Sequence, residues 1–503
     1  IYIKANLRPL GREFLNSAKQ MMEEVTEQIK ILFEASIRSS LEGIDRIPQS
    51  GSDRSYFRLY SREGSYIATY GRNIRENSTF LYFTNHFLSC GCPVPQILAV
   101  NEESTIYIQE DLGDISLMNK LDTLGKNQEV YALFQSSLRQ LAHLQIRGDM
   151  NLDYSKCITS SEFGKQAIMS DLLYFKYYFL DTLQIPYDKE KLLREFEELA
   201  GYLADADHRY FMFRDFQSRN LMVQDGKINF IDYQGGMKGA LQYDVASLLW
   251  QAKAELSEEW KTSLLEYYMD CVEQQLQTSI DRKRFVGQYN GYVLIRLLQV
   301  LGAYGFRGMF ERKAHFLTSI PLGIKNLKRF LAMKKGGIEL SEFDWLLRVV
   351  VEDEIISRFE TITAGPDTPL TVRITSFSYK RGIPVDASGN GGGFVFDCRG
   401  ILNPGRMEEY KILTGRDKPV QDYLEQKTKI NEFLRSIYTI VDISVEDYIK
   451  RGFHDLQISF GCTGGQHRSV YAAESLARHL KNKFKVKVIL DHVEQESKNW
   501  ING

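Results

Sequence analysis

Three polar residues in the middle of the chain have the types and spacing needed for transfer of a phosphoryl group. Asp215 precedes Asn220 by five residues, and Asp232 follows an apolar run twelve residues after Asn220. Such transfer needs a carboxylate to orient the attacking hydroxyl and ligands that hold Mg²⁺ against the phosphates. We therefore predict that Asp215 is catalytic and that Asn220 and Asp232 bind Mg²⁺. The alternative is a polar loop before a β-hairpin, in which Asp215 only caps a turn.

A second group of residues, near the end of the chain, has the composition of an anion-binding loop. Gly464 and Gly465 follow an apolar run, precede a helical pattern and allow backbone amides to turn toward a ligand. A helix N-terminus favours negative charge, and Arg468 adds a bidentate donor. This pattern predicts a phosphate-binding loop. Cys462 and Arg468 also have the spacing of cysteine phosphatases, although paired glycines are atypical of those enzymes.

The segment that leads to Asp215 has the pattern of a small β-rich lobe followed by helices. Residues 55–60 and 65–70 alternate as two strands around a turn, 76–89 is helical, and 105–109 is a further strand. Helical periodicity then dominates to about residue 335, apart from strands around the catalytic residues. The predicted fold class of this part is α+β.

After Gly365 and Pro366 the pattern changes to strands that alternate with helices. Such alternation is typical of an α/β layer with at least partly parallel strands. The predicted strands are 371–376, 394–397, 456–461 and 486–491, and the predicted helices are 420–440 and 469–480.

The composition is that of an ordinary globular enzyme, with 43% apolar and 25% charged residues and a net charge of −2. No apolar run approaches the ~20 residues of a membrane span, so we expect no membrane partner. The six cysteines have neither redox nor zinc spacing, which predicts a reduced, cytoplasmic protein. The net charge is +4 from Thr371 onward and −6 before it. This asymmetry favours an anionic ligand for the C-terminal part.

Residues from about 40 to 330 resemble the aminoglycoside phosphotransferase and choline kinase superfamily, and most closely the anomeric amino-sugar kinases of the AmgK type. The resemblance implies a protein-kinase-like bilobal fold with ATP and Mg²⁺ as cofactors. It also implies phosphorylation of the anomeric hydroxyl of N-acetylmuramic acid or N-acetylglucosamine during cell-wall recycling. The matching pieces are residues 51–58, 110–114, 213–221 and 243–248.

The same resemblance assigns roles to residues outside the catalytic loop. The segment of Ser52, Asp53, Arg54 and Ser55 would cover the ATP phosphates with its backbone amides. The segment after the strand 105–109, with Glu110 and Leu112, would border the adenine. Asp244 would either support the catalytic loop or cap a helix.

One departure concerns the lysine that kinase folds place on the strand read here as 65–70. This strand has no lysine, and Phe213 stands where the superfamily usually has histidine. Arg58, Arg72 and Arg75 are the candidates to replace the lysine, and the sequence leaves the choice between them open.

Residues 371–503 resemble the C-terminal domain of the RapZ family over almost their whole length. The matching pieces are residues 376–382, 396–399, 403–404, 413–420 and 461–477, whereas the P-loop ATPase half of that family is absent. The resemblance implies an amino-sugar phosphate ligand and, as in some members, small RNAs. The candidate ligand residues carried over are Lys380, Asp397, Arg399, Asn403, Thr463, Gly464, His467 and Arg468, with Arg381 where the family often has histidine.

A basic stretch near the end is the only further indication of RNA. Five basic residues there have no interleaved aromatic platform, so a solvated edge is favoured over an RNA contact. These residues are Arg478, Lys481, Lys483, Lys485 and Lys487.

The sequence therefore predicts an α+β protein-kinase-like bilobal fold followed by a separate α/β domain. Its predicted segments are an N-terminal extension and helix (1–39), a kinase-like domain (40–335), a helical linker (336–369) and a RapZ-like domain (370–503). The predicted function is an ATP-dependent sugar kinase with a domain that senses a sugar phosphate. The alternatives are a degenerate kinase that acts as a nucleotide-, metabolite- or RNA-binding adaptor, and a kinase with a choline or aminoglycoside acceptor.

Overall fold

The computed structural model describes residues 10–37, 39–47, 54–207, 209–311, 313–333, 340–360, 362–386, 388–389 and 393–498. The chain divides into two compact units. One comprises residues 20–360, and the other comprises residues 361–503 together with 1–19. The predicted positions 52 and 53 lie outside the described residues.

The first unit opens with a small lobe around a five-stranded antiparallel sheet, with strand order β1-β2-β3-β5-β4. Alternate residues of β2, such as Phe57 and Leu59, pack with Phe33 of α1 on one face of this sheet. The opposite face meets α2 and the rest of the unit. The elements are α1 (Leu10–Ile37), β1 (Gly43–Ile47), β2 (Ser55–Ser61), β3 (Gly64–Tyr70), α2 (Ile74–Ser89), β4 (Ile97–Val100) and β5 (Ile106–Glu110).

The rest of the first unit is a helical lobe with two short two-stranded sheets, β6-β9 and β7-β8. These sheets bracket the catalytic loop and pack into a core shared with the helices. The elements are α3 (Leu117–Leu124), α4 (Gln128–Arg147), α5 (Lys165–Tyr178), α6 (Lys189–Ala204), β6 (Arg209–Met212), β7 (Leu221–Gln224), β8 (Lys227–Phe230), β9 (Met237–Ala240), α7 (Gln242–Leu249), α8 (Glu258–Leu276), α9 (Arg282–Tyr304), α10 (Ala314–Leu317), α11 (Ile320–Met333), α12 (Ser341–Val350) and α13 (Asp353–Ser357).

One segment, Arg282–Phe310, is long and apolar enough to cross a membrane by length and composition. It consists of α9 and a π-helical turn, Gly305–Phe310. More than half of its apolar window, 56%, is buried inside the protein. Its apolar side chains form part of the core of the helical lobe, which accounts for its composition.

The second unit contains a four-stranded parallel sheet of order β11-β12-β10-β13. The prediction of at least partly parallel strands is confirmed. The elements are β10 (Thr371–Ser378), β11 (Phe394–Asp397), α14 (Lys418–Lys427), α15 (Ile430–Arg451), β12 (Asp455–Cys462), α16 (Arg468–Phe484), β13 (Lys487–His492) and α17 (Val493–Lys498).

The predicted helix 420–440 is wrong as one element, because two helices meet there. Thr428 is extended, with φ −134° and ψ 173°, and this conformation ends α14. Its hydroxyl oxygen accepts a hydrogen bond from the Ile430 amide at 3.1 Å, which starts α15. A local side-chain bond of this kind competes with helix continuation.

The first unit continues through α12 and α13, whose apolar faces lie in its core. The buried Glu195 of α6 accepts hydrogen bonds from the amides of Glu342 (3.0 Å) and Phe343 (2.7 Å). It also accepts one from the Ser341 hydroxyl at 3.3 Å. Glu195 therefore acts as the N-terminal cap that α12 lacks within its own sequence. The boundaries predicted at residues 335 and 369 remain predictions.

The substitution Glu195→Ala should lower the free energy of unfolding of the first unit by about 1–3 kcal/mol, because two buried amides lose their acceptor. Denaturant titration measures the change. Glu198→Ala is the matched control, because Glu198 is exposed on the same helix. Equal stability of the two variants would show that α12 does not depend on this cap.

Candidate functional site

The catalytic loop between β6 and β7 is held by a buried carboxylate. Asp244, in the first turn of α7, is fully buried. Its carboxylate accepts hydrogen bonds from the amides of Phe213 (2.7 Å) and Arg214 (3.0 Å) and from Gln145 Nε2 (2.9 Å). It makes no cap for its own helix. The geometry therefore corresponds to support of the loop, one of the two roles that the sequence left open.

The residue before the predicted catalytic aspartate has a strained backbone. Arg214 has φ +78°, a conformation that L-residues rarely adopt. Its side chain donates to Asp171 Oδ1 at 2.7 Å and to the Tyr243 hydroxyl at 2.9 Å, and it lies over the ring of Phe163. These contacts and the Asp244 bond stabilise a turn that exposes the next residue, Asp215.

Asp215 keeps about half of its side chain exposed, as a group that receives a substrate proton must. Its Oδ1 accepts a hydrogen bond from Arg296 Nη2 at 3.2 Å. Arg296 lies in the middle of α9 with its side chain almost fully buried. Motif spacing in the sequence gives Arg296 no role at this site. A charged residue within the apolar run of α9 was the available signal, because buried charges need partners.

The two predicted metal ligands lie together beside Asp215. Asn220 Nδ2 donates to the Asp215 carbonyl oxygen at 2.9 Å and to Asp232 Oδ2 at 3.3 Å. Asp232 has φ +70°. Loss of solvent, followed by the charge of Asp215, raises the pKa of Asp232 above its ordinary value. A bound cation would relieve both effects.

This donor set fits Mg²⁺. Both N–H groups of Asn220 face neighbouring oxygens, which leaves its amide oxygen as an acceptor, and Asp232 supplies carboxylate oxygens. Mg²⁺ commonly takes one or two protein carboxylates and completes its shell with phosphates and water. Among the described residues no group of three or more His, Cys, Asp or Glu side chains could hold a metal ion by itself.

The predicted nucleotide residues lie on the small lobe and its edge. Arg54 and Ser55 are buried at the start of β2. Glu110 ends β5, and its amide donates to the Gln96 carbonyl oxygen at 2.9 Å. Leu112 is buried directly after that strand. The four residues therefore lie at two ends of one sheet, and their contact with a nucleotide stays a prediction.

The three arginines considered as replacements for the strand lysine all have other partners. Arg58 forms a bidentate pair with Asp111 and also binds Asp114. Arg72 Nε donates to the Tyr70 hydroxyl at 3.4 Å, and Arg75 Nη2 donates to the Cys157 carbonyl oxygen at 3.2 Å.

In the second unit, the predicted ligand residues gather at the carboxyl edge of the parallel sheet. In register, Ser378 of β10 pairs with Cys462 of β12, and Asp397 of β11 pairs with Gly461. Ligands of open α/β sheets bind at this edge. The exposed candidates there are Lys380, Asp397, Arg399, Thr463 and Gly464.

Two of these exposed residues already form a pair. Arg399 Nε and Nη2 donate to both oxygens of Asp397, at 2.6–2.9 Å, and the guanidinium lies over the ring of Tyr379. The hydrogen bonds from Arg399 lower the pKa of Asp397. Asp397 therefore remains a carboxylate that fixes the orientation of Arg399 beside the loop.

The other candidates hold the loops that frame this edge. Asn403 Oδ1 accepts the Gly405 amide at 3.3 Å. His467 is buried and its Nε2 lies 2.8 Å from the Tyr410 carbonyl oxygen. Burial lowers the pKa of His467, so the ring is neutral at pH 7. Arg468 Nη1 donates to the Ile401 carbonyl oxygen at 2.8 Å and to that of Arg399 at 3.2 Å.

The position of Arg468 bears on the cysteine phosphatase alternative. That chemistry needs an arginine that binds the phosphate through both nitrogens. Arg468 is instead buried with Nη1 bound to two backbone carbonyls, and the Cys462 thiol is 2% exposed. The amide of Gly465 donates to Cys462 Sγ at 3.1 Å. These contacts favour a structural loop over a nucleophilic cysteine.

Two family models match the chain. Residues 43–275 match the phosphotransferase enzyme family, and residues 370–496 match the RapZ C-terminal domain. The first range contains the loop with Asp215, and the second contains the loop that begins at Cys462.

Curated relatives are similar over part of the chain. A nucleotide-binding protein of Bifidobacterium adolescentis is 42% identical over 123 residues, which cover 24% of this chain and 38% of that protein. A nucleotide-binding protein of Fusobacterium nucleatum is 32% identical over 212 residues, which cover 40% of this chain and 69% of that protein. The chain spans 36% to 46% of the length of the Bifidobacterium adolescentis protein and of six further relatives.

Solved structures are similar at low identity. A choline kinase of Cryptosporidium parvum is 14% identical, with a TM-score of 0.44, and the match covers 64% of this chain and 99% of that chain. A choline/ethanolamine kinase family protein of Mesorhizobium loti is 14% identical, with a TM-score of 0.42, and the match covers 65% and 99%. An ADP-bound aminoglycoside phosphotransferase is 14% identical, with a TM-score of 0.41, over 65% and 98%.

Burial raises the pKa of Asp244 from 3.8 to about 7, although three N–H donors oppose the shift. The folded state therefore holds this proton more tightly than the unfolded state, and stability falls as the pH rises from about 4 to about 7. An asparagine side chain does not ionise, so the variant Asp244→Asn should lack this dependence. Its stability relative to the wild type should increase between about pH 5 and about pH 8, as measured by urea titration.

The exposed Asp225, in the turn between β7 and β8, provides the control Asp225→Asn. Its stability relative to the wild type should stay constant over the same pH range. If the free energy of unfolding of Asp244→Asn relative to the wild type also stays constant with pH, Asp244 does not titrate in this range.

Proposed function

We infer the function from two family matches: residues 43–275 match the phosphotransferase enzyme family, and residues 370–496 match the RapZ C-terminal domain. We propose that the first unit is an ATP- and Mg²⁺-dependent phosphotransferase. We further propose that its acceptor is a sugar and that the second unit binds a sugar phosphate.

The observation that carries the kinase proposal is the intact group of Asp215, Asn220 and Asp232 on a loop held by the buried Asp244. Asp215 would accept the proton of the attacking hydroxyl, while Asn220 and Asp232 hold the metal. When bound, Mg²⁺ would neutralise charge on the transferred phosphoryl group. A degenerate adaptor would have no need for this arrangement, so the geometry favours an enzyme.

Arg296 would orient Asp215, because its Nη2 donates to the carboxylate at 3.2 Å. Only one carboxylate oxygen, Oδ1, accepts this bond. The other oxygen can therefore receive the substrate hydroxyl. This division of roles resembles the base and its orienting group in other enzymes.

The charge around the catalytic loop supports a sugar acceptor over choline or an aminoglycoside. A cationic acceptor needs carboxylates that can bind its ammonium groups. Two carboxylates beside the loop, Asp215 and Asp171, already form ion pairs with Arg296 and Arg214. A neutral or anionic acceptor is compatible with this arrangement. We propose the anomeric hydroxyl of N-acetylmuramic acid or N-acetylglucosamine, and hence a cytoplasmic role in amino-sugar metabolism and cell-wall recycling.

For the second unit we propose an amino-sugar phosphate ligand at the carboxyl edge of its sheet. Lys380 and the oriented Arg399 would bind the phosphate, and the amides of Thr463 and Gly464 open the turn toward it. Asp397 already binds Arg399. The Arg399 guanidinium is therefore held in position before a ligand binds. RNA is the less supported partner, because the basic stretch after residue 477 carries no stacking platform.

With ATP, Mg²⁺ and either sugar, the full chain should form a sugar 1-phosphate detectable by ³¹P NMR. The substitution Asp215→Ala should lower the rate at least about a hundredfold, because it removes the proton acceptor. Asp225→Asn should retain the wild-type rate. Choline in place of sugar should give no product. ATP binding without product from any acceptor would favour the adaptor function.

Glucosamine 6-phosphate should bind the full chain in calorimetry, whereas glucosamine should not. The substitution Lys380→Ala should weaken binding about tenfold or more, because a charge-assisted contact to the phosphate is lost. Lys418→Ala is the control, since the exposed Lys418 pairs with Asp422 on α14. Similar affinities of the two variants for glucosamine 6-phosphate would show that its phosphate does not bind at Lys380.

If saturating glucosamine 6-phosphate leaves both the ATP affinity and the turnover unchanged, this ligand does not regulate the kinase.

A further inference from the structure

The position that carries lysine in kinase folds is occupied here by a residue with no charge. Ala68 of β3 packs toward α1, and therefore Thr69 points to the opposite face of the sheet. In register, Thr69 pairs with Tyr107 of β5, and Thr69 is 1% exposed. A threonine hydroxyl supplies neither the reach nor the positive charge that binds phosphates and a helix glutamate. Another cation must supply the charge on this face.

Arg54 enters the same space from the neighbouring strand. Ser55 of β2 pairs with Tyr70 of β3, so Arg54 lies opposite the end of the strand that lacks the lysine. The side chain of Arg54 is 5% exposed, and its Nη2 lies 2.8 Å from Glu76 Oε1. Glu76 belongs to the first turn of α2. The pair therefore joins the sheet to α2, as a strand lysine and a helix glutamate do in kinases.

The surroundings of Arg54 place it against α2. Its guanidinium lies 5.8 Å from the ring centre of Phe80, one turn after Glu76 on α2. Arg54 therefore contacts α2 through both Glu76 and Phe80.

An arginine side chain can bind a carboxylate and a phosphate at the same time. Its planar guanidinium has five N–H donors and binds carboxylates and phosphates in a fixed geometry. Glu76 holds one end through Nη2. Arg58 binds two aspartates, Arg72 donates to the Tyr70 hydroxyl, and Arg75 donates to a backbone carbonyl. Arg54, in contrast, forms an ion pair with a glutamate of α2.

We propose that the side chain of Arg54, oriented by Glu76, binds the nucleotide phosphates in place of the missing strand lysine. This inference rests on the proposed phosphotransferase function and goes beyond a backbone contact of the segment 52–55. Arg54 is then a phosphate-binding residue, and Glu76 is a positioning residue that acts through it.

Calorimetry on the full chain with Mg²⁺ tests the proposal, using a non-hydrolysable ATP analogue and adenosine as probes. The substitution Arg54→Ala should weaken binding of the analogue about tenfold to a hundredfold, because a charge-assisted contact is lost. Adenosine has no phosphates, so its affinity should stay unchanged. Arg54→Lys should restore part of the affinity for the analogue, because lysine keeps the charge.

Two further variants separate phosphate binding from a purely structural pair. Glu76→Gln should weaken binding of the ATP analogue less than Arg54→Ala does, and it should leave the affinity for adenosine unchanged. Arg62→Ala removes an exposed arginine that pairs with Glu42 on the same sheet, and it should behave as the wild type. Equal losses for analogue and adenosine in Arg54→Ala, with no rescue by lysine, would show a structural pair only. If the wild type binds neither probe, the phosphotransferase proposal itself fails.

Discussion

The buried carboxylate of Asp244 is the constraint on which the geometry of the catalytic loop depends. Its two oxygens bind consecutive backbone amides, of Phe213 and Arg214, and thereby fix where the loop begins. A carboxylate without solvent is costly unless its hydrogen bonds are satisfied. Gln145 supplies the third donor and is itself bound by the Tyr268 hydroxyl. The network reaches from α4 and α8 to the loop, so the helical lobe as a whole positions Asp215.

Three ion pairs neutralise carboxylates in the helical and small lobes. Arg296 pairs with Asp215, Arg214 with Asp171, and Arg54 with Glu76. All three arginine side chains are largely buried, where charge interactions are stronger than in water. Within the described part of the chain, Asp232 forms no such ion pair, and loss of solvent, followed by the charge of Asp215, raises its pKa. A cation is thus best accommodated at Asp232.

The sequence was most informative where the chemistry depends on near neighbours. Asp215, Asn220 and Asp232 lie within eighteen residues, and a loop followed by a short hairpin brings them together. The Arg296–Asp215 pair joins residues 81 positions apart, and spacing carries no information about such a contact.

The missing lysine shows the same limit of sequence reasoning. Proximity in sequence points to Arg58, Arg72 and Arg75, and it gives the side chain of Arg54 no separate role. Strand register adds what proximity in sequence does not show, because Ser55 pairs with Tyr70 and brings the start of β2 to the end of β3. In the second unit, alternating strands and helices predicted the sheet, but the helix break at Thr428 depends on local hydrogen bonds of its hydroxyl group. Local competition of this kind leaves helical periodicity intact on both sides.

The parallel sheet of the second unit has a consequence for its synthesis on the ribosome. Its central strand β10 emerges first, yet Thr371 pairs with Asp455 on one side and Lys487 on the other. Both edges of β10 therefore stay open until nearly the whole unit has been translated. The preceding unit, residues 20–360, can complete its core earlier, because domains generally fold in the order in which they emerge. Nascent chains would thus expose an unpaired apolar strand tethered to a folded partner, a state that chaperones recognise and that a ribosomal pause after residue 378 would prolong.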